Sequence, residues 1–232
     1  MDYQILGDSD CPIVQVNLGY GESIQVERGA MAYSSNVELQ GKMNTNKSGL
    51  GGLLSALGRS LTSGESFFMT HATGQAEGAF IGIAPSVPGK IVNLPIGRRQ
   101  YRLNSGVFLA CDSSVSYNMV SQNMDGAFLG GTGGFFVMET QGQGDMLVSA
   151  FGDIIELTVT QDRPLTIDNE HVVAWDSSLD YNIQVASGIF GFTTGEGLVN
   201  QFYGNGRVLI QTRNLRSLVD SLTAYLPDTS NS

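Results

Sequence analysis

Ala110-Cys111-Asp112-Ser113-Ser114-Val115-Ser116-Tyr117-Asn118 is matched without gaps by Ala174-Trp175-Asp176-Ser177-Ser178-Leu179-Asp180-Tyr181-Asn182. Ala32-Tyr33-Ser34-Ser35-Asn36-Val37 matches the first part of the phrase once more. Self-similarity at long period means that one supersecondary unit is reused, so function is sought at the seams between units. The phrase is not isolated. Phe67-Phe68-Met69, Gly74-Gln75 and Gly89-Lys90-Ile91-Val92-Asn93-Leu94 precede its second copy. Phe135-Phe136-Val137, Gly142-Gln143 and Gly152-Asp153-Ile154-Ile155-Glu156-Leu157 precede the third in the same order.

The first copy has Pro12-Ile13-Val14-Gln15-Val16-Asn17-Leu18 ahead of it but no Phe-Phe pair. Phe202-Tyr203, followed by Gly204-Asn205-Gly206-Arg207-Val208-Leu209-Ile210, reads as the missing piece. The expected organisation is one domain of three units. Unit I is 1–45 completed by 198–213, unit II is 65–120 and unit III is 134–185. A unit completed from both termini closes a ring and removes exposed strand edges. Tyr3-Gln4-Ile5-Leu6 competes for one of the same strand slots.

Short runs of period two, rich in β-branched and aromatic residues and bounded by Gly, Asp, Asn or Pro, predict an all-β fold of sandwich or double-stranded β-helix type. Two segments break that pattern. Residues 46–64 form an insertion with Leu50, Leu53, Leu54, Leu57 and Leu61 at helical spacing, made mobile by its glycines. Residues 214–227 predict a C-terminal helix on the outside of the β core. Asn214 is its N-cap, Leu215, Leu218, Val219, Leu222, Tyr225 and Leu226 share one face, and Pro227 stops it.

The chain of 232 residues carries 12 Lys plus Arg against 22 Asp plus Glu, a net charge of −10. Nucleic-acid binding needs cationic surface, and only Arg98, Arg99 and Arg102 cluster, so nucleic acid is disfavoured as a partner. Cys11 and Cys111 make neither a disulfide framework nor a metal site and are expected as free thiols. The first residues lack a basic stretch leading into an apolar one, and no run of 18 apolar residues occurs, which favours a cytoplasmic protein.

Val26-Glu27-Arg28-Gly29-Ala30-Met31 resembles the N-terminal Glu-x-Gly-x-Met signature of the AIM24 family. Gly195-Glu196-Gly197-Leu198-Val199, Phe202-Tyr203-Gly204-Asn205-Gly206 and Gln211-Thr212-Arg213 resemble its C-terminal signature, and Gly142-x-Gly144 fits between them. The resemblance spans nearly the whole chain. It implies a fold like that of the tryptophan RNA-binding attenuation protein, repeated about a pseudo-threefold axis. It brings no catalytic residue with it. The family's mitochondrial branch is tied to inner-membrane organisation, but no mitochondrial targeting segment and no RNA-binding Lys/Arg array occur here.

Several residues were weighed as sites. Asp112 and Asp176, with Ser34 in the equivalent place, could bind a metal or act as an acid/base pair; the favoured reading is an Asp-Ser-Ser turn held by side-chain to backbone bonds. His171, beside Glu170 and Asp168, could be a general base. No G-x-S-x-G elbow accompanies it, and a strand would put it on one face with Val173 and Trp175 as a hydrogen-bonded histidine. Gly130-Gly131-Thr132-Gly133-Gly134 and Gly195-Glu196-Gly197 lack the context of phosphate loops and read as turns. Glu27, Gly29 and Met31 carry the family signature without an evident chemistry, and Met31 and Trp175 are expected in the core.

No cofactor and no metal is expected, and no catalytic residue is assigned. The expected function is a non-enzymatic, self-associating scaffold: a homo-oligomer, with a protein partner engaged through residues 46–66 or the C-terminal helix. Peripheral membrane association is a lesser alternative. The rival class is a small-ligand binder using clefts between units lined by Tyr117, Tyr181, Trp175 and the paired aspartates, ahead of RNA binding or a hydrolase built on His171.

Overall fold

A computed structural model describes residues 1–7, 10–43, 68–104, 106–121, 136–185, 197–223 and 225–226. The first strands are β1 (Asp2–Leu6), β2 (Ile13–Leu18), β3 (Ser23–Val26), β4 (Met31–Ser35), β5 (Val37–Met43), β6 (Phe68–Gly74) and β7 (Ala79–Ile83). A second run comprises β8 (Ile91–Ile96), β9 (Tyr101–Leu103), β10 (Phe108–Asp112), β11 (Val115–Ser121), β12 (Phe136–Gly142) and β13 (Gly144–Ser149). The third comprises β14 (Ile154–Val159), β15 (Leu165–Asp168), β16 (Val172–Asp176), β17 (Asp180–Val185), β18 (Leu198–Tyr203) and β19 (Gly206–Gln211). A 3-10 turn, Asn169–His171, precedes β16, and α1 (Leu215–Thr223) follows β19. The fold is all-β with one C-terminal helix, as expected.

Alternation drives the strands. In β2, Val14, Val16 and Leu18 are buried while Ile13, Gln15 and Asn17 are half-buried. All named strand pairs are antiparallel, and their order recurs. Within each run the first strand pairs the sixth and the sixth pairs the third, as in β2·β7·β4, β8·β13·β10 and β14·β19·β16. The fourth pairs the fifth and the fifth pairs the second, as in β5·β6·β3, β11·β12·β9 and β17·β18·β15. Each run thus brings two three-stranded sheets together, and each has a hydrophobic cluster made mostly of its own residues: one around Val14, Val16 and Ile81, one around Leu103, Tyr117 and Met146, one around Trp175, Phe202 and Val208. The strands therefore group in contiguous runs rather than in the units drawn from the sequence. The first run is completed by β6 and β7, and β1 adds to the edge of β2.

Consecutive runs are joined by a second kind of pairing. The second strand of one run pairs with the third strand of the next, β3 with β10 and β9 with β16. These seams build two six-stranded sheets, β5-β6-β3-β10-β13-β8 and β11-β12-β9-β16-β19-β14. The third seam would join β15 to β4. It is not formed: the remaining strands lie in a three-stranded sheet β15-β18-β17 and a four-stranded sheet β1-β2-β7-β4. No sheet closes into a barrel among the described residues, which corrects the expectation that ring closure removes the strand edges. The physical reason lies in the connections. Short, mutually bonded segments tether consecutive runs, with Lys90 donating to Gly152 O and Ala150 donating to Lys90 O. A last-to-first seam has no such tether to lower its closure entropy.

Two phase errors follow from reading the repeat in one dimension. Bulges fall between Met31 and Tyr33 in β4, Phe108 and Ala110 in β10, and Val172 and Ala174 in β16. The first phrase turns on one residue, Asn36 at φ +53°, where the others turn on two serines. Tyr33 therefore stands with Ala110 and Ala174, and Ser35, not Ser34, stands with Asp112 and Asp176. Similarly, Val37 faces Gly74 and Val115 faces Gly142, whereas Asp180 faces Tyr203. That register puts Leu198, not Tyr203, in phase with Phe68 and Phe136.

Candidate functional site

The two aspartates of the phrase act as backbone acceptors. Asp112 Oδ2 accepts the N–H of Asp145 at 2.7 Å, and Asp176 Oδ2 accepts that of Arg207 at 3.0 Å. Each ties the end of a strand to the start of the strand beside it, 33 and 31 residues away, rather than to the backbone of its own Asp-Ser-Ser turn. Asp112 also lies 3.1 Å from the α-ammonium of Met1. Asp176 is 5% exposed and sits 3.4 Å from Arg99 Nε and 3.9 Å from Arg207 Nε. Arg207 in turn donates to Glu156 and to the Tyr101 hydroxyl. The Asp176 carboxylate is buried between two guanidinium groups on neighbouring elements, whereas the Asp112 side chain is 18% exposed. Among the described residues no group of three His, Cys, Asp or Glu is placed to hold a metal.

The cleft expected between units is not assembled. Trp175 is 1% exposed and packs edge-on to Phe202 and Tyr181 in the third cluster, as core. Tyr117 is buried in the second cluster, beside Phe108. Tyr181 lies under the Arg102 guanidinium, 5.6 Å from its centroid, and Arg102 donates to Glu139 at 2.6 Å. Burial, with the Glu139 charge nearby, pushes the Tyr181 hydroxyl up to about 12 against the pull of Arg102. Trp175 and Tyr181 share the third cluster, and Tyr117 lies apart from them in the second. Of the arginine cluster, Arg102 and Arg99 are ion-paired with carboxylates.

His171 is hydrogen-bonded but does not lie in a strand. It closes the 3-10 turn, and the bulge after Val172 removes the alternation that would align it with Trp175. Its Nδ1 lies 2.7 Å from Gln211 O and its Nε2 3.0 Å from Asn214 Nδ2. The carbonyl requires an N–H at Nδ1, which leaves Nε2 to accept from the amide. Asn214 Oδ1 meanwhile accepts from Ser217 N at 2.7 Å, the expected N-cap. His171 is thus a strut between the β core and α1. Beside it opens a cleft of about 440 Å³ lined by Phe151, Arg213, Asn214, Ser217 and Leu218 among others.

Met31 is a correction: it is 43% exposed, not core. Strand register aligns Glu27-x-Gly29-x-Met31 with Asn104-x-Gly106-x-Phe108 and Asp168-x-Glu170-x-Val172. Gly29 and Gly106 take φ of +82° and +80° in this turn, a region that suits glycine. Asn104 donates its amide to the carbonyls of Asn169 and Val172. Glu27 in the equivalent place is half-buried with no ion pair among the described residues, and desolvation lifts its carboxyl to about 7. β4 is exposed along most of its length, whereas its counterparts β10 and β16 are almost wholly buried. Only the strand register could reveal that.

α1 carries the expected apolar stripe, but no residue of the helix is buried. Leu215, Leu218, Val219 and Leu222 are 52%, 41%, 50% and 54% exposed. Cys11 is exposed and Cys111 buried, and neither is in a disulfide; burial pushes the Cys111 thiol up. Leu53, Leu54, Leu57 and the rest of 46–66, Phe67, Phe135 and the Gly130 segment lie outside the described residues. Among the described residues no helix is long and apolar enough to cross a membrane.

An all-β protein with an exposed amphipathic helix after its last strand defines the class. The chain belongs to the AIM24 family: the family described as mitochondrial biogenesis AIM24 matches residues 3–213. An uncharacterized protein of Streptococcus pyogenes serotype M6 is 46% identical over 222 residues, 95% of this chain and 89% of that one. A crystal structure of a Streptococcus pyogenes protein superposes with a TM-score of 0.78 at 42% identity, covering 97% of this chain and 99% of that one.

Proposed function

We propose that this protein is a non-enzymatic, self-associating scaffold of the cytoplasm, built of three related units. The recurring strand order supports the units. The apolar stripe of α1 carries the self-association, because water-exposed leucines in a row mark a contact surface. Its occupant is a second copy. In an antiparallel pair centred between Leu218 and Val219, Leu215 lies opposite the partner's Leu222 and Leu218 opposite the partner's Val219. The net charge of −10 disfavours an anionic membrane as the occupant.

A helix of nine residues offers less than the roughly 1,200 Å² of a stable interface, so the contact is weak and concentration-dependent. Light scattering across a concentration series tests it. The native chain is expected to exceed monomer mass as concentration rises, and the Leu218→Asp/Leu222→Asp variant to lose that rise through the helix. A native chain that stays monomeric throughout defeats the proposal. A second reading, small-ligand binding, moves from the seams to the cleft beside His171, where Arg213 and Ser217 stand with Phe151. A metabolite thermal-shift panel that stabilises a strict monomer would favour it.

A further inference from the structure

The chain uses one kind of seam twice and displays both unused halves of a third. At the first seam Val26 faces Ala110 and Gln25 faces Cys111. At the second Leu103 faces Ala174 and Arg102 faces Trp175. Each seam buries the bulge residue of the incoming strand, Leu109 or Val173, at 0% exposure in the cluster of the preceding run. The counterparts at the third seam are Ala32 on β4 and the β15 pairs Ile167 with Tyr33 and Thr166 with Ser34. Ala32, Tyr33 and Ser34 are exposed and belong to no cluster. β4 and β15 each end a sheet, with one row of backbone groups unpaired among the described residues. Tyr33 does not obstruct that edge. Its ring lies across Gly82 of β7 and its hydroxyl donates to Gln15 of β2, on the side away from it.

We infer that β4 of one copy receives β15 of a second copy in the register of the two formed seams, joining chains head to tail. The inference rests on the self-association reading above and adds a second, different contact. Continuity with the internal seams identifies the occupant: the surface that fits β4 is the one that β3 offers β10 and β9 offers β16, and among the described residues only β15 of another copy presents it unpaired. Such a contact is heterologous, so it propagates chains into rings or filaments rather than stopping at a pair.

The test uses full-length chains carrying Cys11→Ser to remove the exposed native thiol. A Ser34→Cys chain and a size-tagged Thr166→Cys chain are mixed and oxidised. A disulfide between the two chains is expected, because the register sets these exposed positions opposite each other. Adding Ala32→Lys, tolerated at an exposed site but burying a charge in the contact, is expected to cut cross-linking about tenfold. If the double variant Ser34→Cys/Thr166→Cys cross-links only within itself, the seam closes inside one chain and the inference falls. It falls too if no cross-link forms while light scattering still shows association that Leu218→Asp/Leu222→Asp abolishes, an outcome that leaves the self-association reading intact. Strict monomers in light scattering remove both.

Discussion

Asp176 and Arg207 stand on neighbouring strands, and the aspartate's Oδ2 accepts the arginine's backbone N–H at 3.0 Å, while Asp112 and Asp145 repeat the bond one run earlier at 2.7 Å. The environments differ. The Asp176 side chain is 7% exposed with two arginines about it, and that of Asp112 is 18% exposed. Asp176→Ala is expected to cost about 2–3 kcal/mol by leaving the buried Arg207 N–H unpaired and removing a carboxylate from beside Arg99 and Arg207, and Asp112→Ala about 1–2 kcal/mol. Urea denaturation of both variants measures this. Equal losses would show that the second arginine pair adds nothing.

Glu27 makes stability depend on pH. The folded chain keeps its proton to about pH 7, whereas the unfolded chain releases it near the ordinary glutamate value of 4.5. The folded state therefore binds the extra proton between those limits, and stability falls as pH rises through that window. Since the group is partly solvated, the loss is about 1 kcal/mol rather than the full shift. Glu27→Gln should flatten the pH profile between 4.5 and 7 in thermal melts. A slope that survives in the variant would assign it elsewhere.

Gly82 lies under the Tyr33 ring so closely that an added Cβ would occupy the ring's own position. Gly82→Ala is expected to cost about 1–3 kcal/mol by displacing that ring. In a Tyr33→Ala background the same change should cost less than about 0.5 kcal/mol. A double-mutant cycle reads the coupling, and additive costs would place the strain in the β7 backbone instead.

Asn214 both caps α1 and donates to His171. Asn214→Ala is expected to remove about 1 kcal/mol of helix stability and to speed amide exchange in α1, while Asn214→Asp keeps the cap and most of the protection. Unchanged exchange in the alanine variant would mean that packing rather than the cap holds the helix.

Sequence alone determined the strand-rich architecture, the Asp-Ser-Ser turns, the capped helix at Asn214 and the family. Each is a local property: alternation, turn chemistry and capping act within a few residues. Tertiary structure decided the rest. Period two tells which face a residue takes but not which strand lies beside it, so contiguous grouping of β2 to β7 could not be read from the repeat. A single missing residue at Asn36 shifted Ser35 into the aspartate position, an offset that only strand register exposes. Met31 sits in a β-like run whether covered or bare, and Trp175, Tyr117 and the aspartates look alike in sequence whether they line a cleft or sit apart. The burial of a strand is set by its neighbour across the seam. For β10 and β16 that neighbour is tethered on the same chain; for β4 it is not, and no local signal records the difference.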